Sequence, residues 1–93
     1  MAEERRQVTI VNELGLHARA ASKLVQLASK FPVELSIGRE EMMVNAKSIM
    51  GVLRLAASKG SELSLVATGN DADAKAAVDA VVGLISERFG EGK

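Results

Sequence analysis

A single change of hydrophobic period constrains what this chain can fold into. Over residues 7–12 (QVTIVN) apolar and polar side chains alternate, with Val8 and Ile10 on one face, as in a strand with one buried side. Over residues 17–31 the spacing switches to threes and fours. Ala20, Ala21, Leu24, Leu27, Ala28 and Phe31 form one stripe, while Arg19, Lys23, Gln26 and Lys30 fall largely elsewhere. That is an amphipathic helix with one apolar face. Pro32 stops it, because the residue before a proline is pushed out of helical space.

Alternation then returns. Val33, Leu35 and Ile37 alternate with Glu34 and Ser36, which predicts a second strand. Gly38-Arg39 reads as a turn and residues 41–46 (EMMVNA) as a third strand, closing a hairpin. Residues 48–55 (SIMGVLRL) have helical spacing but contain Gly51, so a short, irregular helix is expected, closed by Ser58-Lys59-Gly60. Leu63, Leu65 and Ala67 alternate with Ser64, Val66 and Thr68 as a fourth strand. Asn70 is a candidate cap for a last helix, with Asp71 and Asp73 near its positive end. Ala74, Ala77, Val78, Val81, Leu84 and Ile85 make that helix's buried stripe, and residues 90–93 are expected to fray. The order β-α-β-β-α-β-α predicts an α+β fold. It is an open-faced two-layer sandwich, with a four-stranded antiparallel sheet and three helices on one face. At 93 residues it forms one domain spanning 1–93, with 91–93 as its tail.

Composition narrows the function. Twelve basic residues balance 12 acidic ones, and there is no Trp or Tyr and only two Phe. Neither the basic field nor the stacking platform of a nucleic-acid binder is present. The absence of cysteine excludes disulfides, thiolate metal sites and thiol catalysis. No apolar run approaches the roughly 18 residues that span a bilayer, and MAEERRQVT lacks the apolar core of a secretory signal. A cytoplasmic protein with protein partners is expected.

The candidate site is His17, the chain's only histidine. It stands where a loop containing Gly15 meets the start of the first helix. The backbone N–H groups of Ala18 and Arg19 have no intrahelical partner there, and the helix dipole adds positive charge, so this end suits an anion. The Arg19 guanidinium can pair with phosphate oxygens. The same helix end repels positive charge and so favours a neutral, nucleophilic imidazole. Phosphoryl transfer asks for positioning and charge stabilisation, and this arrangement offers both. One histidine with scattered carboxylates is too few ligands for a structural metal site, and no nucleophile elbow for a serine triad is visible.

Gly15-Leu16-His17-Ala18-Arg19 resembles the active-site motif of the histidine-containing phosphocarrier (HPr) family of the bacterial phosphoenolpyruvate-dependent phosphotransferase system. Asn45-Ala46-Lys47-Ser48-Ile49-Met50 resembles that family's second signature, around its regulatory serine. The resemblance implies that Enzyme I, charged by phosphoenolpyruvate, phosphorylates His17 on Nδ1, and that the group passes to an Enzyme IIA protein in sugar uptake. Arg19 would assist both steps, and the Ala18 and Arg19 backbone would bind the phosphate. It implies a monomeric stoichiometric carrier, not a stand-alone enzyme, with no metal or organic cofactor. Ala20 stands where many members have proline, and Leu14 where many sugar-branch members carry a small polar residue. Members of the nitrogen-related branch read more like this chain at that place.

Ser48 reads as a helix N-cap. The resemblance adds regulatory phosphorylation there by an HPr kinase/phosphorylase. It also implies a partner-docking surface that includes Ala20, Ile49, Met50 and Leu53, suited to several partners by its methionine. Two other readings compete. A small-molecule-binding regulatory module would need a ligand pocket and gives His17 and Arg19 no role. A regulatory paralogue acting only through Ser48 gives His17 none.

Overall fold

The computed structural model describes residues 2–93. Its elements run β1 (Ala2–Thr9), α1 (Ala18–Ala28), β2 (Glu34–Arg39), β3 (Met42–Asn45), α2 (Ile49–Arg54), β4 (Glu62–Gly69) and α3 (Asp71–Ser86), followed by a short turn, Arg88–Gly90. The four strands form one antiparallel sheet in the order β1-β4-β2-β3. The helices cover one face and leave the other open, which is the expected architecture. Alternation decides which face is which. Leu63, Leu65 and Ala67 of β4 and Leu35 and Ile37 of β2 are buried beneath the helices. The intervening Ser36, Ser64, Val66 and Thr68 are only partly covered. Ala20, Ala21, Leu24 and Ala28 of α1 and Ala74, Ala77, Val78, Val81 and Ile85 of α3 complete the core.

Boundaries differ from the sequence expectation where local chemistry overrides pattern. β1 starts at Ala2 and ends at Thr9, so it takes in the charged run before residue 7 and stops short of residue 12. It is an edge strand, where charged residues are tolerated and guard against pairing with other chains. Arg6 reaches over to Asp79 of α3 at 3.0 Å. α1 closes at Ala28, three residues before Phe31. The N–H groups of Lys30 and Phe31 bond back three residues, to Leu27 and Ala28, tightening the chain ahead of Pro32. The hairpin turns at Glu40-Glu41, not at Gly38-Arg39, since Arg39 pairs with Met42. Gly38 lies within β2 for another reason: a Cβ there would stand 2.2 Å from the Met42 carbonyl oxygen.

The largest departure is at the C-terminal end. The sequence predicts fraying over residues 90–93, yet Glu91 bonds to Asn12 and His17, and the Lys93 main-chain oxygen accepts the Glu13 N–H at 3.2 Å. Phe89 anchors this stretch and is completely buried. The tail is thereby laid beside the start of α1.

Candidate functional site

The loop from β1 to α1 is fixed by hydrogen bonds to the segment before β4. The Ile10 N–H donates to Ser61 O at 2.9 Å, the Gly60 N–H to Ile10 O at 2.7 Å, and the Leu16 N–H to Ala57 O at 2.9 Å. Leu16 is buried and so pins the loop into the core. Gly15 makes the tight passage. Its φ is +66°, and a Cβ there would lie 2.4 Å from the same Ala57 oxygen. The next residue after Leu16 is His17, which takes the N-cap position of α1 with an extended backbone.

The ring of His17 is held on both nitrogens. Nδ1 accepts the Arg19 backbone N–H at 3.2 Å, and Nε2 meets the Glu91 carboxylate Oε2. An N–H can donate to Nδ1 only where a lone pair stands. The network therefore assigns the ring proton of the neutral form to Nε2, facing Glu91. Glu91 is held in turn: its Oε1 accepts from the side-chain amide of Asn12 at 3.0 Å. That amide nitrogen also donates to the Gly15 carbonyl at 2.9 Å. The Asn12 bond, then the His17 bond, holds the Glu91 carboxyl below the usual carboxylate range against the opposing effect of burial, and the Arg19 charge acts in the same direction as the bonds. The His17 side chain is 28% exposed and that of Glu91 14%, so the ring is reachable while its partner is largely covered.

An open hollow surrounds the ring, lined by Glu13, Leu14, Ala18, Arg19 and Lys93. Arg19 is exposed, and among the described residues its guanidinium enters no ion pair. It remains available for an incoming anion. Among the described residues no three His, Cys, Asp or Glu side chains gather as a metal site would require, and no helix is long and apolar enough to cross a membrane.

A family model described as the PTS HPr component phosphorylation site matches residues 4–87. The chain belongs to the HPr family. It is 49% identical to an HPr phosphocarrier of Cupriavidus necator over 96% of this chain and 98% of that one. It is 46% identical to an NPr phosphocarrier of Shewanella violacea over 98% of each. A crystal structure of HPr-C-His from Thermoanaerobacter tengcongensis superposes with a TM-score of 0.90 at 41% identity, covering 97% of this chain and 99% of that one. The general role of the family, phosphocarriage within the phosphotransferase system, follows for this chain.

Within this HPr frame the anticipated residues separate. His17 and Arg19 come together at the head of α1, with Arg19 contributing its N–H to the ring. Ser48 caps α2, its Oγ accepting the Gly51 N–H at 3.1 Å. Met50 is 74% exposed, Ile49 is exposed and Leu53 half-buried. Ala20 cannot present a docking contact: it is fully buried in the α1 stripe. The residues that sequence reasoning missed are Asn12 and Glu91; Leu14, singled out in the sequence for its bearing on the pathway, is placed by the structure at the site itself. Leu14 is 71% exposed on the rim of the hollow. For Glu91 the signal was weak, because nothing local to residues 90–93 says that they fold back.

Proposed function

We propose that the chain accepts a phosphoryl group on His17 Nδ1 from phospho-Enzyme I and delivers it to an Enzyme IIA protein. The observation that carries this reading is the Nδ1 lone pair facing the first turn of a helix, with the exposed Arg19 side chain lining the same hollow. When phosphorus takes the Nδ1 lone pair, the Arg19 N–H loses its acceptor and becomes free for a phosphoryl oxygen. Arg19 then supplies charge to the dianion from its side chain as well. The carrier works as a cytoplasmic monomer without metal or organic cofactor, and Leu14, Ile49, Met50 and Leu53 supply the apolar contacts for its partners.

Sugar uptake is the pathway this reading assigns. The nitrogen-related branch is the second reading, favoured by one observation: exposed Leu14 places an apolar group at the rim of the site, where an acceptor would dock. Phosphorylation of Ser48 by an HPr kinase/phosphorylase completes the proposal. A phosphate on this capping hydroxyl meets the positive end of α2 and leaves the helix intact, while its charge changes how partners approach.

Incubation with Enzyme I and labelled phosphoenolpyruvate tests the core of the reading. The expected result is an acid-labile label on the native chain and none on the His17→Ala protein. Label retained after His17→Ala would overturn it.

A further inference from the structure

We propose that Glu91 is a positioning residue for phosphoryl transfer: seated by Asn12, it holds the His17 ring with its proton on Nε2 and leaves Nδ1 as the nucleophile. This rests on the phosphocarrier reading and adds the group that prepares the histidine for it.

Three independent features converge on Glu91. The first is the fork of its carboxylate, with Oε2 on His17 Nε2 and Oε1 on the Asn12 amide. Asn12 is fully buried, and its amide nitrogen serves two acceptors, Glu91 Oε1 and Gly15 O. Turning that amide over would set its oxygen against two other oxygens, so its orientation is determined. The second feature is the way the tail is delivered. Arg88, Phe89 and Gly90 adopt left-handed backbone at φ of 57°, 56° and 79°. Two non-glycine residues in that region persist only where surrounding structure compensates. Here Phe89 is buried and the Lys23 ammonium donates to the Phe89 carbonyl at 2.6 Å. Glu91 is therefore carried by an anchored turn. The third feature lies on the opposite side of the ring, where the Arg19 N–H requires a lone pair on Nδ1. Both sides select the same tautomer.

The chemistry then balances without a proton leaving. The Nδ1 lone pair attacks the donor's phosphorus and an Nδ1–P bond forms. The bond from phosphorus to the donor's leaving atom breaks, and its electron pair stays on the donor. The ring keeps its Nε2 hydrogen and becomes a cation, which the Glu91 carboxylate offsets. On delivery, the N–P electron pair returns to Nδ1, the ring is neutral again, and the phosphoryl group bonds to the acceptor.

The test compares the ¹⁵N-labelled full chain with its Glu91→Ala and Glu91→Asp variants. Ring ¹⁵N signals report the tautomer, and rapid-quench kinetics with phospho-Enzyme I report transfer. The native ring is expected to hold its proton on Nε2. Glu91→Ala is expected to mix the two tautomers and slow phosphoryl acceptance roughly tenfold, as for loss of one orienting hydrogen bond. Glu91→Asp is expected to recover part of both. Unchanged ring signals in the Glu91→Ala protein would overturn the proposal, and so would slower transfer with unchanged ring signals, which would mark Glu91 as a docking contact. A native chain that takes no label would overturn the phosphocarrier reading and this proposal with it. The ring signals, which need no donor, separate the two failures.

Discussion

Gly15→Ala should be the most damaging of the glycine substitutions near the site, and its size follows from two contributions. At φ +66° an alanine is strained by roughly 1–2 kcal/mol. Its Cβ would also stand 2.4 Å from the Ala57 carbonyl oxygen, which must then retreat. That oxygen accepts the Leu16 N–H, and losing the bond costs about 1 kcal/mol. The expected loss is about 2–3 kcal/mol, from a total stability on the order of 5–14 kcal/mol for a domain of this length. Two glycines separate the contributions. Gly60 has φ +92° and open space around its missing Cβ, so Gly60→Ala should show strain alone, about 1–2 kcal/mol. Gly83 lies inside α3 with nothing near its missing Cβ, so Gly83→Ala should stabilise by about 0.5–1 kcal/mol. Urea unfolding of the four proteins, compared at constant slope, measures the series. A Gly15→Ala protein no less stable than Gly60→Ala would refute the close-approach argument.

Two further outcomes are expected. Phe89→Ala should cost about 3–5 kcal/mol, because it empties a fully buried site; denaturant unfolding checks it, and a loss below about 1 kcal/mol would mean that the turn does not anchor the tail. Because the folded-state pKa of Glu91 lies below its ordinary value of 4.5, its ionised form stabilises the fold above that value. The contribution is lost as pH falls through the folded value. The stability gap between the native chain and Glu91→Ala should therefore narrow in acid, and a gap that stays constant below pH 4.5 would contradict the pairing.

The sheet and its helices were readable because each buried face writes its own period. Leu63, Leu65 and Ala67 alternate, and the stripe of α1 repeats by threes and fours. The first residues of β1 were not, since Glu3, Glu4, Arg5 and Arg6 carry no apolar alternation and their strand is set by pairing with β4. Gly38 misled in the opposite sense: glycine usually marks turns, and here it makes room for a carbonyl. At the site, His17, Gly15 and Arg19 announce themselves through local chemistry at a helix start. Asn12 and Glu91 do not. Their partnership joins residues 79 positions apart, and only the left-handed turn at Phe89 brings them together. Ala20 shows the converse, since a position beside a functional motif can still belong wholly to the core.

If the proposed chemistry holds, phosphorus bonds to one particular nitrogen of one residue. That bond is read by ³¹P–¹⁵N scalar coupling in the ¹⁵N-labelled chain after charging with Enzyme I and phosphoenolpyruvate. Coupling to Nδ1 of His17 is expected, with Nε2 still bearing its hydrogen beside Glu91. Coupling to Nε2, or phosphate on any other residue, would contradict that chemistry.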